Sequence, residues 1–463
     1  MSGRVFQRSW FYRILLMLLM LSMVAVSCSA PPATDEAAEP AQEAETVEEE
    51  EAVAPAEEDV TASDEPVELT ITTWTSDETQ LGIFNEIAEE YKIDHPNVSV
   101  SFTSIPFGDY VSKVTIQLAG SDPPDAGWIV DSTAPTFINA GVLVDLGPTL
   151  ESFPGYDLTD FADGPMKLWT RDDAVYGVPF STSPYIIYYN RDLFAEAGMD
   201  TPDVLLANGE WTWDALREAS KAISDATAST VYGFQSFGGD IFGSRLWQTM
   251  GPLMKAFGGQ AWNDEGTQCT INSPEAVAAF EFMHAMTFED GSAVPPGEIG
   301  DFFAGNAGMT IAMIGRTSLL ADAAFEWDVI SLPSGPAGYN PIVGQAAFVV
   351  FKTGQHSDVA ADFIAFMTTS ENVEKYSLYF PPARRSIIYS EDFLHSNSLV
   401  TPESMELAIA NSIESGTVEV VHPEYPKIDL AAHGEIDKIW QPDADIQVIL
   451  DAACDAIQPF MLP

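Results

Sequence analysis

The chain has 463 residues, 70 acidic and 19 basic, for a formal net charge of −51. A surface of that sign repels nucleic acid and anionic lipid, which excludes binding to either by bulk charge. The six histidines and three cysteines show no metal-ligand spacing, and no Walker loop, G-x-S-x-G elbow or G-x-G-x-x-G fingerprint is present, so neither a cofactor nor an enzyme is expected. Carboxylate pairs abound, so spacing alone neither supports nor excludes a glycosidase-type pair.

Arg4, Arg8 and Arg13 precede an apolar run, Ile14–Val26. Its 13 residues fall short of the roughly 20 that span a bilayer as a helix, so it reads as a signal peptide over 1–27. Ala25-Val26-Ser27-Cys28 resembles a bacterial lipobox, which implies a lipid on Cys28 and an extracytoplasmic protein held at the membrane by that anchor. Residues 28–66 then form a tether. From 29 onward they carry 14 acids, no basic residue and no aromatic, so no core can form and like charges extend the chain. The remaining 397 residues carry 16 basic and 56 acidic side chains and exceed what one core usually supports, so two lobes are expected.

Val67–Thr73 alternates as a strand, Leu81–Lys92 has helical spacing, and Val98–Ile105 alternates again. Asp109–Ala119 reads as a helix and Ala126–Val130 as a short strand. Tyr185–Tyr189 suits a buried strand; Asp192 can cap a helix over Leu193–Ala197, which Gly198 ends, and Thr212 caps the next. Asp301–Ile314 reads as helix, Gly-rich turn and strand. Asp328–Leu332 and Gly344–Phe351 are strands, and Asp358–Met367, Glu403–Ser412 and Ile446–Pro459 are helices. Strands alternating with helices argue for an α/β fold with mostly parallel sheets.

The segment Tyr176–Leu216, with YGVPFSTSPYIIYYNRDLFAEAGMD and then WTWDAL, resembles family 1 extracellular solute-binding proteins, the maltose-binding-protein-like group that serves ABC importers. FFAGNAGMTI, the stretch Trp327–Pro333, GQAAFVVF, AADFIAFMTTSENVEKYS and PPARRS follow in that family's order. The resemblance implies a two-lobed periplasmic-binding-protein-like fold, each lobe a mostly parallel sheet flanked by helices. It puts three crossings near Pro179–Ser183, Trp327–Pro333 and Val373–Phe380. One lobe would combine 67–178 with 328–372, the other 179–327 with 373–463. It further implies a monomeric binding protein without catalysis that captures a small solute, a mono- or oligosaccharide first of all, and delivers it to membrane permease subunits. Two other readings stand beside it: the same fold holding an acidic sugar, polyol phosphate or other small anion through Arg316 with Arg384 or Arg385, and a cell-surface glycan hydrolase.

Ligands of open α/β sheets sit beyond the carboxyl ends of strands. Trp74 there offers a flat face to a sugar or is partly core, and Asp77 accepts hydroxyls or is solvated. Trp128 and Asp131, in PPDAGWIVDSTAP, resemble the family's cleft aromatic and acid; a carboxylate suits vicinal hydroxyls, and it equally suits a helix cap. Ser183 and Tyr185 sit at the first crossing, where Tyr185 faces the cleft or the core. Arg316 follows a strand as a forked donor or an ion-pair partner. Gln345, beside Gly344, brings backbone close to a ligand. The resemblance suggests Arg384 or Arg385 at the cleft and one aromatic from Phe242, Trp247 and Trp262. Beyond Cys28 only Cys269 and Cys454 remain; they either pair or stay separate buried thiols.

Overall fold

The computed structural model describes residues 65–236, 246–418 and 422–461. The expected signal peptide, Cys28, nearly all of the tether and the candidate Phe242 lie outside the described residues.

Strand β1 (Val67–Thr73) and strand β2 (Val98–Ser104) run parallel, joined by the helix Glu78–Asp94. That helix buries Phe84, Ile87, Ala88 and Tyr91, spaced three and four apart, which keeps them on one face. Strand β3 (Ala126–Val130) lies parallel to β1 on its other side. A small hairpin follows, β4 (Thr170–Arg171) and β5 (Ala174–Val175), whose turn residues Asp172 and Asp173 take φ of 51° and 66°. Two left-handed residues in a two-residue turn match the right-handed twist of the flanking strands.

Strand β6 (Val178–Pro184) and strand β7 (Ile186–Asn190) are separated by Tyr185 alone, yet they lie in different sheets. After them come β8 (Tyr232–Gln235), β9 (Ala307–Ala312), β10 (Trp327–Ser331), β11 (Ile342–Val350) and β12 (Thr417–Val418). The first sheet has the order β12-β11-β3-β1-β2 with β6 on β11, and the second the order β10-β7-β9-β8. The first keeps three parallel ladders beside two antiparallel ones and the second has one parallel beside two antiparallel, for a topological reason. Strands β7 and β11 each start where the chain has just passed from one sheet to the other, so they run against β9 and β10, or against β3 and β6. The carboxyl ends of β1, β2, β3, β6, β8, β9 and β10 therefore all point to the junction between the sheets.

Sheet membership also moves two expected boundaries. β6 belongs to the first sheet and β10 to the second, so the chain passes between sheets at Tyr185 and over Leu332–Pro341. Later residues serve both sides. Ile387, Phe393, Met405 and Ile413 join the core that covers the first sheet and one face of the second, and Glu406–Ala410 lies against β10. In β7, Ile186 and Tyr188 enter that core while Ile187 and Tyr189 enter the second, the period of two that a strand buried on both faces requires.

One local reading changes and one open alternative is decided. Asn190, not Asp192, caps the helix Arg191–Ala197, its side chain accepting the Leu193 N–H at 3.1 Å, because Asp192 is already inside the first turn and accepts the Glu326 N–H instead. Gly198 ends that helix at φ 67°. Cys269 and Cys454 are disulfide-bonded, Cα atoms 5.5 Å apart, tying the segment after Trp262 to the helix Ile446–Ile457.

Candidate functional site

The two sheets come together around Gly344. Gly344 pairs with Ser183, and Ile186 pairs with both Ala312 and Ser331, so the ends of β6, β9 and β10 and the start of β11 converge there. A Cβ on Gly344 would lie 2.9 Å from Met313 Cε and 3.8 Å from the Tyr185 hydroxyl. A side chain at 344 would push aside the tip of Met313, which follows β9. Tyr188, buried below, donates to the carbonyls of Met313 and Ile314 and fixes the segment that carries Arg316. Ser183 is half-buried on β6; Tyr185 is buried, its N–H donating to the Ile342 carbonyl at 3.0 Å.

Asp131, directly after β3, accepts the Gln345 N–H at 2.7 Å and the Ser132 N–H at 2.6 Å, which locks the end of β3 to the start of β11. The residue is half-buried, and burial outweighs the two bonds, pushing its pKa up to about 6. The folded protein thus holds a proton that the unfolded chain releases near pH 3.8, and this contribution to stability is full below that value and lost as pH rises through about 6. The melting-temperature difference between wild type and Asp131→Asn should fall steadily from about pH 4 to about pH 7. A difference that stays constant across that range contradicts the raised pKa.

The Gln345 side chain is engaged below the surface: its Oε1 accepts Trp169 Nε1–H at 2.7 Å and its Nε2 donates to Thr182 Oγ1 at 3.3 Å. Only its backbone is left for the junction. Trp74, at the end of β1, is half-buried and gripped edge-on by Phe107, Tyr110 and Trp128, with centroids 5.6, 5.1 and 4.8 Å away. Trp128 itself is wholly buried and supports Trp74 rather than offering a surface; its Nε1–H has no hydrogen-bond partner among the described residues.

Four other expectations meet competing roles. Asp77 caps the helix Glu78–Asp94 through the N–H groups of Thr79 and Gln80, as an exposed acid before a helix tends to do. Trp247 is buried and donates to Asp429 Oδ1 at 2.7 Å, with Trp262 6.1 Å away. Arg384 is 1% exposed and spends its donors on the carbonyls of Thr368 and Asp157 and on Asp160, so it is walled off from any ligand. Arg385 grips Glu414 with its Nε, 2.9 Å from each carboxylate oxygen, and also contacts Asp163. Arg316 is exposed and makes no ion pair among the described residues.

A cavity of about 420 Å³ opens between the two sides of the molecule. Asn139, Lys167 and Arg171 line it from the first side; Lys255, Trp262 and Asp264 line it from the second. Of the residues expected at the site only Trp262 lines it, although Pro135, in the helix that follows Asp131, does so too. Its second wall is built by a small loop. Trp262 and Cys269 form a bridge, the disulfide anchors Cys269, and buried His422 holds Gly266. His422 Nδ1 accepts the Glu424 N–H, so its proton sits on Nε2 and donates to the Gly266 carbonyl at 2.9 Å. The signal that marks Lys167, Arg171 and Lys255 in the sequence is their scarcity in so acidic a body, but nothing in the spacing brings them together.

The model of the family described as bacterial extracellular solute-binding protein matches residues 75–374. The arabinooligosaccharide-binding protein of Bacillus subtilis (strain 168) is 22% identical over 352 residues, covering 71% of this chain and 77% of that protein. The lactose-binding protein of Rhizobium radiobacter is 23% identical over 319 residues, covering 64% and 69%. The crystal structure of the cyclic alpha-maltosyl-1,6-maltose binding protein from Arthrobacter globiformis superposes with a TM-score of 0.73 at 24% identity, covering 85% of this chain and 98% of that one. The fold is thus the α/β, two-lobed, maltose-binding-protein-like one.

Proposed function

The chain belongs to the bacterial extracellular solute-binding proteins, and from that premise we propose that it captures a saccharide at the junction of its two sheets and delivers it to the permease of an ABC importer. One observation carries the reading: the carboxyl ends of seven strands from two sheets converge on a single junction with a cavity beside it. The names of two relatives, arabinooligosaccharide-binding and lactose-binding, favour a saccharide.

In this proposal one lobe is built on β1–β3, β6 and β11 and the other on β7–β10, and the lobes close over the solute. Trp74 stacks on a sugar face, Asp131 and Ser183 bond its hydroxyls, and the backbone at Gly344–Gln345 lies beneath it. The protein binds and releases without chemistry. A lipid on Cys28 keeps it at the membrane, and the acidic tether gives the body reach.

The test is a thermal-shift screen of the full chain against neutral and acidic saccharides, polyols and amino acids. A true ligand at a hundredfold excess over its dissociation constant adds about 2.7 kcal/mol of apparent stability. Trp74→Ala and Asp131→Ala should each weaken binding of the ligand so found by about tenfold or more while unfolding stays cooperative. Wild-type affinity in both variants removes these residues from the site, and no shift with any saccharide removes the saccharide.

A further inference from the structure

Cations are scarce in this body, and most are spent. Lys113, Arg191, Arg217, Lys221, Lys375, Arg384, Arg385, Lys427 and Lys438 all form ion pairs with carboxylates. Among the described residues Lys92, Lys167, Arg171, Lys255, Arg316 and Lys352 form none, and three of these six, Lys167, Arg171 and Lys255, line the one cavity described above. In a chain of net charge −51, leaving three cations unpaired at one place runs against the abundance of partners for them. Two acids, Asp264 and Glu265, line the same cavity, yet neither lies within ion-pair distance of the three.

We infer that this cavity takes a carboxylate-bearing saccharide, one uronate group resting among Lys167, Arg171 and Lys255. The inference deepens the saccharide reading and rests on it. Three cations against two acids leave a lining of one net positive charge, which a single carboxylate neutralises; a phosphate dianion calls for more donors than that. Arg171 is held in position, because its Nη1 donates to Asn139 Oδ1 and the β4–β5 hairpin turn presents it at the cavity wall. A guanidinium so oriented keeps further N–H groups for a carboxylate fork. Lys255 comes from the opposite side, on the helix Leu246–Phe257, half-buried, so a bound carboxylate draws the two sides together. Beside it Trp262 is buried, its Nε1–H without a hydrogen-bond partner among the described residues. Of the anion site expected from Arg316 with Arg384 or Arg385, Arg384 is buried against Asp160 and Arg385 is paired with Glu414, which leaves Arg316 alone there.

The experiment is calorimetric titration of the full chain with di- to tetrasaccharides of galacturonate, glucuronate and mannuronate, each beside its methyl ester, which keeps the ring and linkage and removes the charge. At least one acid should bind about tenfold or more tighter than its ester. Lys255→Met and the double variant Lys167→Met/Arg171→Met should abolish that preference by weakening the acid far more than the ester, with melting temperature near wild type. Esters or neutral oligosaccharides bound as tightly as the acids overturn the inference and leave the saccharide reading intact. Variants that weaken acid and ester equally also overturn it, because the cations then serve closure of the two sides and not the ligand's charge. Failure of every saccharide, charged or neutral, overturns the saccharide reading itself.

Discussion

Arg384→Met should cost about 3–5 kcal/mol, a large fraction of a total stability of order 5–15 kcal/mol. The guanidinium is buried with Nε and Nη2 both on the Thr368 carbonyl, at 3.0 and 2.7 Å, and Nη1 on the Asp157 carbonyl at 3.2 Å and on Asp160 at 3.1 Å. It also lies over the rings of Tyr156 and Phe161, 4.7 and 4.2 Å from their centroids. Methionine fills part of the volume and abandons every partner, leaving two carbonyls and a carboxylate short of a donor. Lysine does not rescue it, because one ammonium cannot reach three sites set out for a planar fork. Arg316→Met, exposed on the 3-10 helix Ile314–Leu320, should stay within about 0.5 kcal/mol. Urea midpoints measure both; a wild-type midpoint for Arg384→Met refutes the structural role assigned to it.

The second large effect belongs to the disulfide. Cys269 and Cys454 are 185 residues apart in sequence. Closing so long a loop removes entropy from the unfolded chain worth about 5 kcal/mol in the chain-entropy picture, and measured values run from about 2 to about 5. Reduction, or the double variant Cys269→Ser/Cys454→Ser, should lower stability by about 2–5 kcal/mol, read as a lower urea midpoint. The loss should also reach the cavity, since the bonded cysteine anchors the loop that carries Trp262 and Asp264. Equal midpoints with and without reductant show that the bond contributes nothing.

Much of the fold is legible in the sequence where local chemistry decides it. Val67–Thr73 alternates and is a strand, Ala126–Val130 is a short apolar run and is a strand, and Thr212 caps its helix through the Ala215 N–H. Strand β6 is harder to read because Pro179 and Pro184 look like breakers. The structure tolerates them because β6 pairs only with β11 and the ladder shifts register beside Pro179. Which sheet a strand joins is not a local property, which is why β6 and β10 sit across the expected boundaries. The candidate site divides in the same way. Asp131 can be read in the sequence as an acid that follows a strand, but its bond to the Gln345 N–H is not visible there, and Arg384 has a charge visible in the sequence and a surrounding cage of carbonyls that is not. Lys167 and Lys255 become neighbours of one cavity only once both sides of the molecule are built.

The one-residue passage at Tyr185 has a mechanical consequence. A single residue contributes two soft torsions, so β6 and β7 cannot drift apart; they can only swivel. The other strand-to-strand passage, Leu332–Pro341, ends beside it, for the Tyr185 N–H is bonded to the carbonyl of Ile342, the first residue of β11. Two passages fastened side by side define an axle. A turn about that line leaves both passages intact, whereas sliding across it would stretch them. The line runs past Gly344 and Met313, and the later residues Ile387, Met405 and Ile413, packed in the core that both sheets share, must shift for any such turn.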